Sequence, residues 1–177
     1  LPEELYISFG HLDYGPNPQY LQYPLLPYGS NFSFRKEIIS EIGEFDTSFG
    51  LGKKPITGEE IDFCYRISKA GYKIFYSPGS IVYHKVYKYR FNEKWLLHNQ
   101  FGRGAASALF CNKHFKKEKW KIILFKLKDM GIHASLAIWF SFLNRKKHIK
   151  YKLSVYRIIG YLTTIFSTGA NNSDAHL

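Results

Sequence analysis

Three carboxylates fall within four consecutive residues in the segment Glu59-Glu60-Ile61-Asp62, directly before an apolar pattern with helical spacing. That pattern consists of Phe63, Ile67 and Ala70, and Gly71 follows it as a helix stop signal. The acids are therefore expected in the first turn of a helix, where the helix dipole stabilises each of them by roughly 0.3–1 kcal/mol. Carboxylates held on a rigid element can act as a general base or help to bind a metal ion.

The same residues also have a purely structural interpretation. Thr57 and Glu60 show the Ser/Thr-x-x-Glu spacing of a capping box, in which Glu60 accepts a hydrogen bond from the backbone N–H of Thr57. Taken alone, the segment favours this cap over a catalytic role. The two roles are compatible, because a capping carboxylate can release its bond when a substrate arrives.

The composition indicates one folded domain with a strongly basic end. The chain has 177 residues, 45% of them hydrophobic and 18% aromatic, which suffices for a core and argues against disorder. Residues 1–112 hold 12 Lys and Arg against 11 Asp and Glu, whereas residues 113–177 hold 13 against 3. Because the basic segment also carries long apolar runs, it favours a membrane surface over nucleic acid as its partner.

The sequence also predicts a cellular setting. Cys64 and Cys111 show neither metal-site spacing nor a disulfide framework, so a reducing, cytoplasmic environment is expected. Before residue 158, the longest stretch of the tail without Lys, Arg, Asp or Glu is 15 residues, 130–144, short of the ~20 that span a bilayer. We therefore expect a cytoplasmic protein that is peripheral on the inner face of the membrane. No signal peptide opens the chain and its first residue is Leu1, so we expect a piece of a larger protein.

The elements that must position the acids are short strands and helices. Strands are predicted over Leu5–Phe9, Gly29–Arg35, Tyr72–Tyr76 and Ser80–Val86. Helices are predicted over Lys36–Ile42, Phe91–His114, from Lys116 onward, and over Tyr151–Phe166. Within the second of these, Gly102-Arg103-Gly104 predicts close packing or a kink. Leu51–Gly58 is expected to be a loop, and residues 169–177 a frayed polar end.

A single histidine, His84, lies near the end of the last predicted strand. Such a residue is either a hydrogen-bonded structural histidine or a metal ligand, and the sequence alone favours the structural role.

Five motifs follow one another in a specific order over roughly residues 25–110. They are Pro27-Tyr28-Gly29-Ser30-Asn31-Phe32-Ser33-Phe34-Arg35, Ile42-Gly43-Glu44-Phe45-Asp46, Gly58-Glu59-Glu60-Ile61-Asp62-Phe63-Cys64-Tyr65-Arg66, Ala70-Gly71-Tyr72-Lys73-Ile74 and Val82-Tyr83-His84. This order resembles the C-terminal, acceptor-side half of family 2 glycosyltransferases, which have the A-type glycosyltransferase fold. The resemblance implies transfer of a sugar from a nucleotide-sugar donor to an acceptor hydroxyl. It also implies a divalent metal, Mg²⁺ or Mn²⁺, that offsets the charge leaving on the diphosphate.

The resemblance also implies roles for individual residues. The general base falls on Glu60, which stands where the family has Asp, so that its carboxylate is displaced by about one bond length. The predicted site consists of catalytic Glu60, Glu59 and Asp62, acceptor-binding Asn31 and Arg66, and metal-binding His84.

Motifs of the family's other half are absent from the sequence. The chain has no Asp-x-Asp metal motif, no glycine-rich phosphate loop after a strand, and no Gln-x-x-Arg-Trp motif of processive synthases. The predicted fold class is therefore α/β: a partial A-type domain over residues 1–112, lacking its N-terminal nucleotide-binding half and leaving an open sheet edge. A basic amphipathic helical tail is predicted over residues 113–177.

These features predict part of a non-processive glycosyltransferase of glycan or cell-surface polysaccharide synthesis, inactive on its own without the donor-binding half. Its expected partners are a nucleotide-sugar donor and a glycan or lipid-linked acceptor. The alternative is a non-catalytic remnant that binds an anionic membrane surface through the basic tail. Binding to nucleic acid is a third possibility, and only the net positive charge supports it.

Overall fold

The computed structural model describes residues 3–50 and 57–170. Its helices are α1 (Glu37–Ile42), α2 (Glu59–Lys69), α3 (Glu93–His114), α4 (Lys119–Leu143) and α5 (Arg145–Ala170). Two short strands, β1 (Gln19–Leu21) and β2 (Ile74–Tyr76), and two 3-10 helices, Glu3–Phe9 and Lys88–Phe91, complete the described part of the chain. A mainly helical fold with a small sheet is compatible with the predicted partial α/β domain.

The two strands pair antiparallel, with Tyr20 opposite Phe75 in the centre of the register. The rings of this pair meet edge to face at 5.5 Å, and both remain largely exposed. The strand predicted at Tyr72–Tyr76 is thus confirmed over its last three residues.

The other three predicted strands are wrong. Residues 5–9 belong to a 3-10 helix, which buries Phe9 in a cluster with α3 and α5. The segments 29–35 and 80–86 form no strand; instead the Asn31 side-chain amide donates a hydrogen bond to the Ser80 carbonyl at 2.7 Å. The apolar alternation at Phe32 and Phe34 reflects two rings stacked at 5.7 Å that pack toward α2, not a pleated strand.

Helix α2 follows the sequence prediction along its length. Phe63 and Ile67 are buried against Ile38 of α1, as the helical spacing required. At the C-terminal end, Gly71 has φ +92° and its N–H donates to the Ser68 carbonyl, while the N–H of the next residue donates to Ile67. This is the hydrogen-bond pattern of a Schellman motif, in which glycine is favoured.

The start of α2 differs from the prediction. The N-cap residue is Gly58, with φ +107°, and no side chain caps the helix. The predicted capping box between Thr57 and Glu60 is therefore wrong. A glycine in the left-handed region begins the helix instead, and the Glu60 carboxylate accepts hydrogen bonds from its own backbone and from that of Gly29, not from Thr57.

Helices α3, α4 and α5 form one packed layer. The close packing predicted at Gly102-Arg103-Gly104 is confirmed, because a Cβ on Gly104 would lie 1.9 Å from the Arg157 carbonyl oxygen of α5. Reciprocally, a Cβ on Gly160 would lie 2.1 Å from the Phe101 carbonyl oxygen of α3. The two backbones are therefore in direct contact, and the shared core consists of Ala108, Cys111, Ile123, Tyr161 and Ile165.

Both helices predicted in the basic tail are confirmed, although α5 is longer at each end than the predicted 151–166. The predicted division at residues 112 and 113 falls in the last turn of α3 and stays a prediction. Most of the predicted loop 51–58 and of the predicted frayed end lies outside the described residues. Within the described ranges, none of the helices combines the length and apolar character that a bilayer crossing needs.

Candidate active site

The acids in the first turn of α2 face different surroundings. Asp62 is completely buried and accepts hydrogen bonds from two cationic side chains and a histidine. The donors are Arg66 Nε at 2.9 Å, Lys113 Nζ at 2.9 Å and His114 Nε2 at 2.7 Å. Burial by itself raises the pKa of Asp62, but the hydrogen bonds from Lys113, His114 and Arg66 outweigh it and hold the pKa below its ordinary value. Asp62 is therefore ionised, and its hydrogen bonds hold the start of α2 against the end of α3. We call this cluster the Asp62 anchor.

Arg66 extends this anchor to the turn after α1. Besides Asp62, its guanidinium donates to the Ile42 carbonyl at 2.6 Å and to the Glu44 carbonyl at 2.7 Å. All three guanidinium nitrogens thus have partners within the protein. The predicted binding of an acceptor by Arg66 stays a prediction, and it would require at least one of these bonds to open.

Lys113 joins a second carboxylate to the cluster, since its Nζ lies 2.6 Å from Asp46 Oδ2. The hydrogen bond from Lys113 is the main reason why the pKa of Asp46 is lowered to about 2. Sequence reasoning missed Lys113 and His114, which lie 51 and 52 residues beyond Asp62. The only available signal was a pair of basic residues in the last turn of a predicted helix, a common surface pattern.

Glu60 lies on the other side of the helix start, beside the loop that carries Gly29. A Cβ on Gly29 would contact the Glu60 side chain at 3.8 Å. Burial raises the pKa of Glu60, and the charge of Glu59 adds to this. Hydrogen bonding to the backbone of Glu60 itself and of Gly29, and the charge of Arg103, act in the opposite direction without cancelling the rise. A carboxylate of this kind is suited to accept a proton.

A groove of about 1520 Å³ opens next to this loop. Its walls are formed by segments 27–35 and 72–84, and the Asn31–Ser80 hydrogen bond joins the two walls. Predicted site residues Asn31 and His84 both line it, as does Cys64, one helical turn after Glu60. His84 is exposed, and its ring lies 3.6 Å from the position of a Cβ built on Gly10. The structure thus brings Asn31 and His84 to one groove, which Glu60, Asp62 and Arg66 do not line. Glu60 is linked to the groove through its contact with Gly29, which lies between the lining residues Tyr28 and Ser30.

A smaller cavity of about 570 Å³ lies on the other side of Tyr28 and is lined also by Ile61 and Arg103. One turn before Arg103 on α3, the buried Gln100 donates to Ser8 Oγ at 2.8 Å and accepts from Arg157 Nε at 2.7 Å. Sequence reasoning selected neither Gln100 nor Arg103. Their three-residue spacing, which puts both on one helix face, was the available signal.

The described residues do not form a metal site by themselves. Among them, no three His, Cys, Asp or Glu side chains come together in a way that could hold an ion. His84 would supply one ligand at most, so a divalent metal stays a proposal. Glu59, the remaining predicted acid, has a buried Oε2 with no hydrogen-bond partner in the described part of the chain, and its supporting role stays a prediction.

Comparison with known proteins agrees with the resemblance found in the sequence. The profile described as "Glycosyl transferase family group 2" matches residues 3–167, and the chain therefore belongs to this family of glycosyltransferases. Over 105 residues it is 32% identical to the glucosyl-dolichyl phosphate glucuronosyltransferase of Haloferax volcanii. That match covers 58% of this chain and 33% of the relative, so the chain spans about a third of the relative's length. No solved structure matches the chain.

Proposed function

We propose that this chain provides the acceptor-activating part of an enzyme that transfers a sugar from a nucleotide-sugar donor to a hydroxyl group of a glycan or lipid-linked acceptor. Family membership supports sugar transfer as the reaction class. The name of the Haloferax relative contains a dolichyl-phosphate-linked sugar, which supports a lipid-linked acceptor over a soluble one. The process served would be glycan or cell-surface polysaccharide synthesis.

The observation that carries the proposal is the position of Glu60, a partly buried carboxylate packed against Gly29, whose neighbours Tyr28 and Ser30 line the groove. Burial also raises its pKa, which supports the same role. In the proposed step, the acceptor oxygen attacks the anomeric carbon of the donor sugar, and Glu60 takes the proton from that hydroxyl. The bond between the anomeric carbon and the diphosphate breaks, and its electron pair leaves with the diphosphate. The raised pKa makes Glu60 a stronger base than an ordinary glutamate.

Other residues would assist this step without taking the proton. Asn31 would contact the acceptor from the wall of the groove, and Arg103 would keep Glu60 sufficiently ionised through its charge. Asp62 would act as a positioning residue, because its buried contacts fix the helix that carries Glu60. A divalent metal, if His84 contributes to one, would offset charge on the leaving diphosphate.

The test is Glu60→Gln, measured by sugar transfer in the full-length protein. The amide has nearly the same size but accepts no proton, so we expect kcat to fall by about 10²–10⁴-fold. The free energy of unfolding should change by less than about 1 kcal/mol, because the raised pKa shows that folding favours the uncharged form.

Glu93→Gln is the matched control. Glu93 is also an acid in the first turn of a helix. It lies on α3 and its carboxylate accepts a hydrogen bond from Lys152 of α5, which lowers its pKa instead of raising it. Transfer should be unaffected by this change. If Glu60→Gln retains transfer and lowers stability instead, Glu60 is a structural residue and the proposal is wrong.

The pH dependence gives a second test. Glu60 must be ionised to accept a proton, and burial holds its pKa above that of an ordinary glutamate. The acid limb of the kcat profile should therefore lie above the pH at which an exposed glutamate titrates, and the rate should fall as the pH decreases through it. A rate that stays constant down to the ordinary glutamate pKa of about 4.3 would contradict Glu60 as the base.

A further inference from the structure

Helix α4 exposes large apolar side chains near both of its ends. The most exposed of these, each at least 60% exposed, include Trp120, Leu124, Phe125, Ile138, Trp139 and Phe142. At 100° per residue, these six positions fall within an arc of about 140° on the helix. Lys128, Gly131 and Ser135 occupy the middle of the same arc. Two clusters of exposed apolar side chains on one side of a 25-residue helix differ from the scattered apolar residues of an ordinary protein surface.

The opposite face of α4 is the one that packs. Ile123 and Ala137 are its buried residues, and Ile123 belongs to the core shared with α3 and α5. The exposed face is therefore not an unfinished contact with these neighbouring helices. It needs a partner from outside the described part of the chain.

The charges around this face identify the chemistry of that partner. Lys121 and Lys128 are exposed within the apolar arc, and Lys146 and Lys147 are exposed directly after the helix. Residues 113–177 hold 13 Lys and Arg against 3 Asp and Glu. A second copy of the chain would bring two such basic surfaces together, whereas an anionic surface would complement them.

We propose that α4 lies flat on an anionic lipid bilayer, with its apolar face among the acyl chains near the headgroups and its lysines on lipid phosphates. Helices that bind membranes in this way combine a Trp- and Leu-containing face with Lys. Lys121 and Lys128 lie within the apolar arc, and the long stem of a lysine lets its ammonium reach the headgroups while neighbouring side chains enter the apolar layer. Trp120 and Trp139, near the two ends of α4, have the ring chemistry that is favoured at the bilayer interface. The helix is about 37 Å long, at 1.5 Å per residue, so two contact regions can rest on one surface.

This inference goes beyond the sugar-transfer step and does not depend on Glu60. It deepens the proposed function in one respect, because a lipid-linked acceptor resides in such a bilayer. The experiment measures vesicle binding and not sugar transfer, so a negative result would not bear on the proposed catalytic step. Likewise, an inactive enzyme would not alter the vesicle result.

The experiment is co-sedimentation of the 177-residue chain with vesicles. One set contains phosphatidylglycerol and phosphatidylcholine in equal parts, and the other contains phosphatidylcholine alone. We expect binding to the anionic vesicles in low salt, with weaker binding in high salt and to the neutral vesicles. The double variant Trp139→Ser/Phe142→Ser should lower the partition coefficient by at least about tenfold, since two large aromatic side chains no longer enter the interface.

Two matched controls show whether vesicle binding depends on α4 itself, and not on any exposed aromatic residue or on net charge. Tyr87→Ser removes an exposed aromatic residue outside α4 and should leave binding unchanged. Lys121→Glu/Lys128→Glu should weaken binding by about tenfold or more, whereas Lys69→Glu/Lys88→Glu, with the same change in net charge, should have little effect.

Three results would overturn the proposal. The first is absence of binding to anionic vesicles in low salt. The second is an equal loss of binding in the α4 variants and their controls. The third is a dimer in solution that becomes monomeric with Trp139→Ser/Phe142→Ser and does not bind vesicles, because a second copy would then cover the face.

Discussion

Helices α4 and α5 have 25 and 26 residues and both are rich in Lys, yet they lie in opposite environments. Helix α5 buries Leu153, Ile158, Tyr161 and Ile165, whereas α4 buries Ile123 and Ala137 and exposes most of its large apolar side chains. Helix α4 carries apolar residues on both its buried and its exposed side, so helical spacing does not tell which side packs. The difference shows that tertiary contacts decide which apolar residues gain a protein partner.

The two acids Glu60 and Asp62 on α2 show the same division at the scale of single residues. Asp62 is bonded to Arg66, Lys113 and His114, whereas Glu60 packs against Gly29 in the segment that forms one wall of the groove. We use two terms for the surroundings of these residues, wherever they lie in the molecule. The packed side comprises Asp62 and the α3–α5 contact, and the open side comprises Glu60, the groove and the exposed face of α4. Identical or similar residue types on the two sides should therefore respond differently to the same change.

The largest effect is expected at Asp62. Asp62→Asn removes the charge that pairs with Arg66, Lys113 and His114, and breaking a buried ion pair of this kind costs about 3–5 kcal/mol. Its counterpart on the open side, Glu60→Gln, should change stability by less than about 1 kcal/mol. Urea unfolding at neutral pH measures both, and similar losses for the two variants would remove the distinction between the sides.

The pH dependence sharpens this prediction. Because the pKa of Asp62 is lowered in the folded state, its contribution to stability is present above the ordinary aspartate pKa of about 3.9 and is lost as the pH falls below that value. The difference in unfolding free energy between wild type and Asp62→Asn should therefore shrink as the pH is lowered from 7 toward 3. A difference that does not depend on pH would mean that packing, not charge, explains the variant.

An intermediate effect is expected for isoleucine truncation on the two tail helices. Ile165→Ala on α5 empties a fully buried position and should cost about 3 kcal/mol. Ile138→Ala on α4 changes a side chain that is 68% exposed and should alter stability by less than about 0.5 kcal/mol. Thermal unfolding of both variants checks this pair, and a large loss for Ile138→Ala would show that its face already packs against protein.

The smallest effects are expected at the two helix glycines, and they should have opposite signs. Gly160→Ala places a methyl group 2.1 Å from the Phe101 carbonyl oxygen, so the helices must separate, at a cost of about 2 kcal/mol. Gly131→Ala on α4 meets nothing within 4 Å and should stabilise the helix by about 0.5–1 kcal/mol. If alanine were tolerated equally well at both positions, α3 and α5 would not be in backbone contact.

Much of the local structure was predictable from sequence. The acid-rich start of α2, its buried residues, its glycine end and the helices of the basic tail all follow from spacings of three and four residues. The family could also be inferred, because its motifs occur in order along one chain. Three of the predicted strands were wrong, because alternating apolar residues also occur where rings of an extended loop pack into a core.

The sequence by itself determined which segments become helices, where α2 ends, and that the acids crowd one helical turn. Only the tertiary structure decided that Asp62 is bonded to α3 while Glu60 packs against Gly29, and that α5 is largely buried while α4 exposes large apolar side chains. The physical reason is the distance along the chain over which each effect acts. Helical periodicity acts between residues three or four apart, and so does the Arg66–Asp62 pair. The other two partners of Asp62 lie 51 and 52 residues away, and Gly160 meets a carbonyl group of another helix. Contacts at that separation depend on how whole helices pack, which no local pattern specifies.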